Sequence, residues 1–407
     1  MVGKPSLGDL ETAVLALVDE QRIVDFHRGL VQIPSVNPPG DCVDAITYVK
    51  RPFEEAGFEF EILEGDPTRP NLVAKYGPSG GKQLLVNSHV DVVPIGERSA
   101  WKYDPFGAEV VDGKVYGRGS GDAKASVTAQ AMATLVLKEA GVPMKGQLIY
   151  TAVPDEETGG PHGAALVSEH YPAPDWVIIG EQTLNRVCIG QKGGAGCEII
   201  VHGRTAHGAL PWEGANAIEG AAEVIVALRR ELYPKLTERT HWAFKPSSSS
   251  VNMISGGVKA NVVPDQASFL IDRRTLPGED ADECRAEIME IAERAIRNVP
   301  GCTVELSTLY PGMPASALEV DDPLVVAMLG ANEAIGANTE PTGFSMGTDG
   351  IRWILRGVPT IIYGPGDPSL AHVPDEWVGV DEMVEATKAY VVTMVRLLGD
   401  YEGNENS

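Results

Sequence analysis

The segment Ser88-His89-Val90-Asp91 sets an imidazole and a carboxylate two residues apart, at the end of the apolar run Leu84-Leu85-Val86. Residues two apart on a strand share a face, so His89 and Asp91 can touch one another or one ligand. A metal-binding imidazole commonly passes its second N–H to a carboxylate, which fixes the tautomer and raises basicity. A core histidine beside a strand-end aspartate is the ordinary alternative. Further on, Gly117-Arg118-Gly119-Ser120-Gly121-Asp122 runs into the helix-like text Ala123-Lys124-Ala125-Ser126. The third glycine of a dinucleotide fingerprint would fall at 122, where an aspartate stands, and Gly77–Lys82 fails the Walker spacing, so nucleotide binding is not supported. Glycines instead allow the tight backbone that brings the Asp122 carboxylate close to a cation, where it can bridge two.

A third feature is Asp155-Glu156-Glu157, which follows the run Leu148–Val153. Adjacent side chains diverge, so one glutamate can ligate a metal while the other faces the substrate as a general base. A solvated acidic cluster is the usual reading of such a triplet, but here the carboxylates follow a buried-looking strand, where open α/β sheets place their ligands. Glu181, after Trp176–Ile179, and His372, after the run ending at Tyr363, occupy the same kind of position. Unrelated surface charges would not gather beyond apolar runs in this way.

The elements that must position these groups are legible in outline. Apolar residues at helical spacing from Leu10 to Leu30 predict that helices open the chain, up to the break at Pro34, Pro38 and Pro39. Strand-length apolar runs at Phe58–Leu63, Leu72–Tyr76, Leu84–Val93, Leu148–Val153 and Trp176–Ile179 alternate with amphipathic text such as Val127–Leu137. That alternation predicts an α/β unit with a mostly parallel sheet. After the glycine-rich Gln191–Gly196 the pattern changes to strands (Cys197–Val201, Ser250–Ile254, Ala267–Asp272, Thr303–Ser307) interleaved with two helices (Ala217–Leu232, Asp282–Asn298), and the Ser247–Ser250 run reads as a loop. The expected organisation is a catalytic domain in two parts, residues 1–192 and 311–407, around an inserted α+β sandwich at 193–310.

With 57 acidic residues against 33 Lys and Arg, the formal net charge of -24 disfavours nucleic acid as a partner. No run approaches the roughly 18 apolar residues of a membrane span, and Met1–Glu20 lacks the basic and apolar regions of a secretory signal, so the expected compartment is the cytoplasm. Cys42, Cys188, Cys197, Cys284 and Cys302 have no CxxC spacing and are expected to be reduced thiols.

The blocks SHVDVVP, GRGSGDAKAS, PDEETGG, GEQT, GRTAHGALPWEGANAI, ANVVP, DRRTLPGED and AHVPDEW resemble, in order, those of the M20 metallopeptidase family of aminoacylases, succinyl-diaminopimelate desuccinylases, acetylornithine deacetylases and glutamate carboxypeptidases. From SHVDVVP at Ser88 to AHVPDEW at Trp377 they span most of the chain. The resemblance implies a zinc-exopeptidase-like catalytic domain with a lid and dimerisation insert. It implies that Asp122 bridges two divalent ions, with His89 and Glu181 completing one site and Glu157 and His372 the other. Asp91 would orient His89, and Glu156 would be the acid/base. Two imidazoles and three carboxylates suit Zn²⁺, with Mn²⁺ or Co²⁺ as substitutes. His207 matches the family histidine that reaches the substrate oxygen, in its own or a neighbouring subunit's site. Asn261 and Arg274 match the binders of the substrate carboxylate, although Arg273 stands beside Arg274 and strand alternation aims only one of them inward. Phe344–Asp349 resembles the GGTD loop and so brings Gly347 to the substrate, but Met346 replaces its first glycine; Ala125 and Ser126 also depart from the family text.

The expected activity is hydrolysis of an amide C–N bond in a small N-acyl amino acid or peptide-like substrate, with a water activated between two cations and deprotonated by Glu156. The departure at Met346 keeps a second chemistry open, that of an aminohydrolase releasing ammonia from an aromatic or heterocyclic amine on the same centre. A non-catalytic assembly protein on this fold is a remote alternative, because every ligand position and the base carry suitable residues. A homodimer through the inserted domain is the expected assembly.

Overall fold

The computed structural model describes residues 4–403. The chain separates into two units, one of Met1–Gly190, Leu318–Thr342 and Thr348–Ser407, the other of Gln191–Ala317 and Gly343–Gly347.

In the first unit the strands Gln83–His89, Gln147–Val153 and Trp176–Gly180 are buried along nearly their whole length. Leucine, isoleucine and valine on both faces suit the interior of a parallel sheet and no other position in it. The sheet runs Glu59–Glu64, Pro70–Tyr76, Gln147–Val153, Gln83–His89, Trp176–Gly180, Thr360–Tyr363, Cys188–Gln191 in neighbour order. Its four central strands, from Gln147–Val153 to Thr360–Tyr363, are mutually parallel, and the flanking pairs are antiparallel. His89 stands opposite Val153, and Tyr363 opposite Gly180, so all four central strands end along one edge. Helix Lys124–Glu139 is buried over most of its length and packs against the central strands and against the closing helix Val380–Leu398.

The opening periodicity forms two helices, Leu7–Leu15 and Glu20–Val31, the second capped by the Asp19 side chain, which accepts the N–H of Arg22 at 2.8 Å. A small three-stranded sheet, Glu109–Val111, Lys114–Tyr116 and Trp377–Gly379, was too short to register as apolar runs. It carries the chain next to residue 117 beside the chain next to residue 376, and Gly117 N–H donates to the Glu376 carbonyl at 2.9 Å.

The second unit is an antiparallel sheet in the order Ser248–Gly256, Gln266–Thr275, Cys197–His202, Thr303–Thr308, with Gly193–Gly194 also pairing Gln266–Thr275. Ile199, Val201, Phe269 and Ile271 pack with Val224 and Leu228 of helix Ala217–Glu231 and with Ile288 and Ile291 of helix Ala281–Ile296. Asn216 and Asp280 cap those helices through their side-chain oxygens. Ser248–Ser250, expected as a loop, form the start of an edge strand opposite Asp272–Arg274, where serines facing water cost nothing in packing.

Candidate metal centre

Three adjacent parallel strands deliver their next residues to one place. Gln83–His89 ends in His89 itself, Gln147–Val153 leads to Glu156 and Glu157, and Trp176–Gly180 is followed by Glu181. Crossing behind them, the loop before helix Lys124–Glu139 brings up Asp122. That loop needs its glycines. Gly119 has a φ of +78°, and a Cβ on Gly119 or Gly121 would overlap Val92 and Gln182 respectively. His372 comes from a turn beyond Thr360–Tyr363, with its own φ at +66°.

The five candidate ligands stand together in two groups that share one residue. His89 Nε2 lies 3.2 Å from Asp122 Oδ1 and 3.7 Å from Glu181 Oε1. His372 Nε2 lies 3.2 Å from Asp122 Oδ2 and 3.1 Å from Glu157 Oε2. Within each group one donor atom per residue lies within 4.8 Å of the others, the spacing of atoms that surround a cation.

The electrostatics fit a cation as well. Burial opposes charge on His89, but Asp122, Asp91, Glu181 and Glu156 outweigh it and hold the imidazole well above its ordinary range. Asp122 and Glu157 push His372 up to about 10. Burial raises Glu156 and Glu181 well above the usual carboxylate range; His89 opposes this, and the neighbouring carboxylates, Asp349 among them, reinforce it. Burial opposes charge on Asp122 too, but His372 and His89 outweigh it and hold its carboxyl below the usual range. A divalent cation would stabilise the charged form of these crowded, buried carboxylates, and the mixed nitrogen and oxygen donors suit Zn²⁺-like ions.

Asp91 plays a broader part than an imidazole orienter. His89 Nδ1 is 3.0 Å from the main-chain carbonyl of Asp91 and 3.6 Å from its carboxylate. The carboxylate instead accepts from Asn37 Nδ2 at 2.9 Å and from the backbone N–H groups of Glu156 and Glu157, both at 3.2 Å. Asp155, with a φ of +72°, helps to fix the same turn by accepting from Thr158 Oγ1 at 2.8 Å.

The remaining candidates belong to the second unit. His207 is exposed on a two-residue strand opposite Val262, its Nδ1 accepting the N–H of Ala209 at 3.1 Å, and the exposed Asn261 accepts the N–H of Gly208 through its carbonyl. The two arginines divide as alternation requires. Arg273 is fully buried against Glu279, whereas Arg274 is partly exposed and held by Asp272 at 2.8 Å. Gly347 is partly buried near Met313, and Met346 is exposed.

Sequence reasoning assigned no role to Asp349, Arg118 or Glu376. Burial raises Asp349 to about 6, with His89 opposing and Asp91 reinforcing, and its Oδ2 is enclosed without a hydrogen-bond partner. Arg118 and Glu376 lie inside the GRGSGD and AHVPDEW blocks, but a pair separated by 258 positions leaves no local signature.

The model of the family described as peptidase family M20/M25/M40 matches residues 85–396, most of the chain. The chain belongs to this family. A probable succinyl-diaminopimelate desuccinylase of Staphylococcus epidermidis is 25% identical over 92% of this chain and 98% of the relative. An acetylornithine deacetylase of Vibrio atlanticus is 28% identical over 88% and 94%. Among solved structures, a dinuclear metal-binding M20 peptidase of Bacillus subtilis superposes with a TM-score of 0.67 at 18% identity, covering 92% of this chain and 98% of that one.

Proposed function

We propose that this M20 chain hydrolyses the amide C–N bond of a small N-acyl amino acid or peptide-like substrate at the centre built around Asp122. The single observation that carries the reading is the pair of ligand groups sharing Asp122, with Glu156 beside them and in neither. His89, Asp122 and Glu181 would hold one divalent ion, and Asp122, Glu157 and His372 the other, with Zn²⁺ the best match and Mn²⁺ or Co²⁺ as substitutes. Bound there, the ions supply Lewis acidity that polarises the scissile carbonyl and lowers the pKa of the attacking water.

The chain's own residues do the rest. Glu156 takes the proton of the water and returns it to the leaving amine, its main chain fixed by the Asp91 carboxylate. His207 donates to the oxyanion that develops at the carbonyl oxygen. Arg274, Asn261 and Gly347 bind the substrate, with the guanidinium pre-oriented by Asp272. We further propose a cytoplasmic homodimer. All five cysteines are free, as a reducing compartment would keep them, and among the described residues no helix is long and apolar enough to cross a membrane.

A second reading, release of ammonia from an aromatic or heterocyclic amine, is favoured by Met346 alone. A panel of N-acyl amino acids, dipeptides and aryl amines, assayed for both amine and ammonia, separates the two. The mechanism itself is tested by Glu156→Ala, which is expected to abolish turnover with both ions still bound. Near-normal activity in that variant rules out Glu156 as the base.

A further inference from the structure

Asp122 and His372 sit on loops rather than on strand ends, and one buried ion pair touches both loops. Glu376 is wholly buried, and its Oε1 accepts the backbone N–H groups of Gly121 at 2.9 Å and Asp122 at 3.0 Å. Its Oε2 accepts from Arg118 Nη1 at 2.5 Å. The other arm of the same guanidinium, Nη2, donates to the main-chain carbonyl of His372 at 3.2 Å, and the guanidinium lies 5.1 Å from the ring centre of Trp101. Arg118 is itself 2% exposed, so neither charge has water to replace its partner.

The consequence is unequal support for the two groups of ligands. His89 is the last residue of a central strand and Glu181 directly follows another, so the sheet holds them. His372 has no strand under it. Its backbone is in the left-handed region, its side chain is 53% exposed, and its carbonyl is secured by Arg118. Asp375 adds to the same turn by accepting the N–H groups of Lys102 at 2.9 Å and Tyr103 at 3.1 Å.

We propose that Arg118 and Glu376 are positioning residues, a buried clamp that holds His372 at a set distance from Asp122 and thereby sets the affinity of the ion shared by Asp122, Glu157 and His372. This inference rests on the two-ion reading above. The guanidinium fork is what the role needs, because one planar group must serve a carboxylate and a carbonyl at once, which an ammonium on a flexible stem does poorly. Outer groups that orient ligands are typically worth about 10- to 100-fold in metal affinity.

The test uses full-length protein purified with its ions and dialysed against graded chelator, with zinc per chain counted by mass spectrometry. His372→Ala, which removes a ligand, marks which release step belongs to the second ion. Arg118→Lys keeps a positive charge opposite Glu376, and Glu376→Gln keeps a carbonyl oxygen for the N–H groups of Gly121 and Asp122. Each is expected to release the second ion at a chelator concentration at least about 10-fold lower than the parent, with the first ion's midpoint unchanged. Circular dichroism and thermal melting monitor the fold. Parental release of both ions, or equal weakening of both, overturns the clamp. Unfolding of both variants also overturns it, because the pair would then serve stability and not ligand position. A parent that binds no ion refutes the two-ion reading itself, which is a different result from a parent with two ions and insensitive variants.

Discussion

Asp91 Oδ1 accepts the backbone N–H of Glu156 at 3.2 Å, so the carboxylate beside one candidate ligand also fixes the proposed base. Oδ2 does the same for Glu157, and the main-chain carbonyl of Asp91 meets His89 Nδ1. One residue therefore ties a strand-end imidazole to the next strand's glutamates. Asp91→Asn keeps the shape but turns one acceptor into a donor that faces other donors. The expected result is a fall in kcat of about 10- to 100-fold, accompanied by weaker zinc retention. Steady-state kinetics with parallel zinc analysis checks this, and an unchanged kcat would show that Asp91 is dispensable.

Removing the ions should destabilise the protein as well as silence it. Asp122, Glu157 and Glu181 are gathered with His89 and His372 in two groups that share Asp122. A ligand held only by the native state stabilises it by about 2.7 kcal/mol at a free concentration 100 times its dissociation constant. Chelation should therefore lower the melting temperature and abolish turnover, and Zn²⁺, Mn²⁺ or Co²⁺ should restore both. Identical melting and activity with and without chelator would count against an ion in this site.

Much of this was legible because the relevant signals are local. His89, Glu156, Glu157 and Glu181 each end or follow an apolar run, and adjacent parallel strands place such residues side by side without further information. Asp122 was readable from the glycines that its loop requires. Arg118 and Glu376 were not readable, since their significance lies in a contact across 258 positions and each alone resembles an ordinary surface charge. Ser248–Ser250 misled for a related reason. An edge strand facing water has no apolar alternation, and only its partner Asp272–Arg274 makes it a strand. Gly343–Gly347 groups with the second unit, which no composition shift announces.

Arg273 and Arg274 should separate stability from substrate binding. Arg273 is buried against Glu279, and removing one partner of a buried pair costs about 3–5 kcal/mol. Arg273→Met should therefore lower the unfolding free energy by an amount of that order. Arg274→Ala should leave melting within a few degrees of the parent and raise KM, because Arg274 is partly exposed and already solvated. Denaturant melts and Michaelis curves on both variants decide the matter, and the assignment of Arg274 falls if only Arg273→Met alters KM.

His27 carries a pH dependence of defined sign. Burial first, and then the charge of Lys124, hold its imidazole down at about 3, between Thr128 Oγ1 at 3.1 Å and Ser120 Oγ at 3.2 Å. An unfolded histidine titrates near 6.5. Between those values the unfolded chain binds the extra proton, so the contribution is fully present above about pH 6.5 and is lost progressively as pH falls towards 3. The loss approaches about 1.4 kcal/mol per pH unit. His27→Gln should flatten the dependence by that one-proton slope when unfolding free energies are measured by urea at pH 4, 5 and 6. Parallel curves for parent and variant would mean that His27 is protonated in the fold.

The proposed dimer has a specific surface to test. Ser248–Gly256 is the last strand of its sheet, paired on one side with Gln266–Thr275, and its register shifts between Val251 and Met253. Met253 is 64% exposed, Ile254 60% and Val258, just beyond the strand, 91%. Proteins usually protect such an edge with charge, proline or a covering element, and this one presents large apolar side chains instead. A second copy of the same strand would satisfy both its free backbone groups and its apolar residues under two-fold symmetry. Met253→Lys with Ile254→Lys places like charges on both copies at the point of contact, so light scattering should shift from dimer to monomer, with each chain's melting nearly unchanged. A parent that is monomeric, or a double variant that remains a dimer, would remove this edge as the interface.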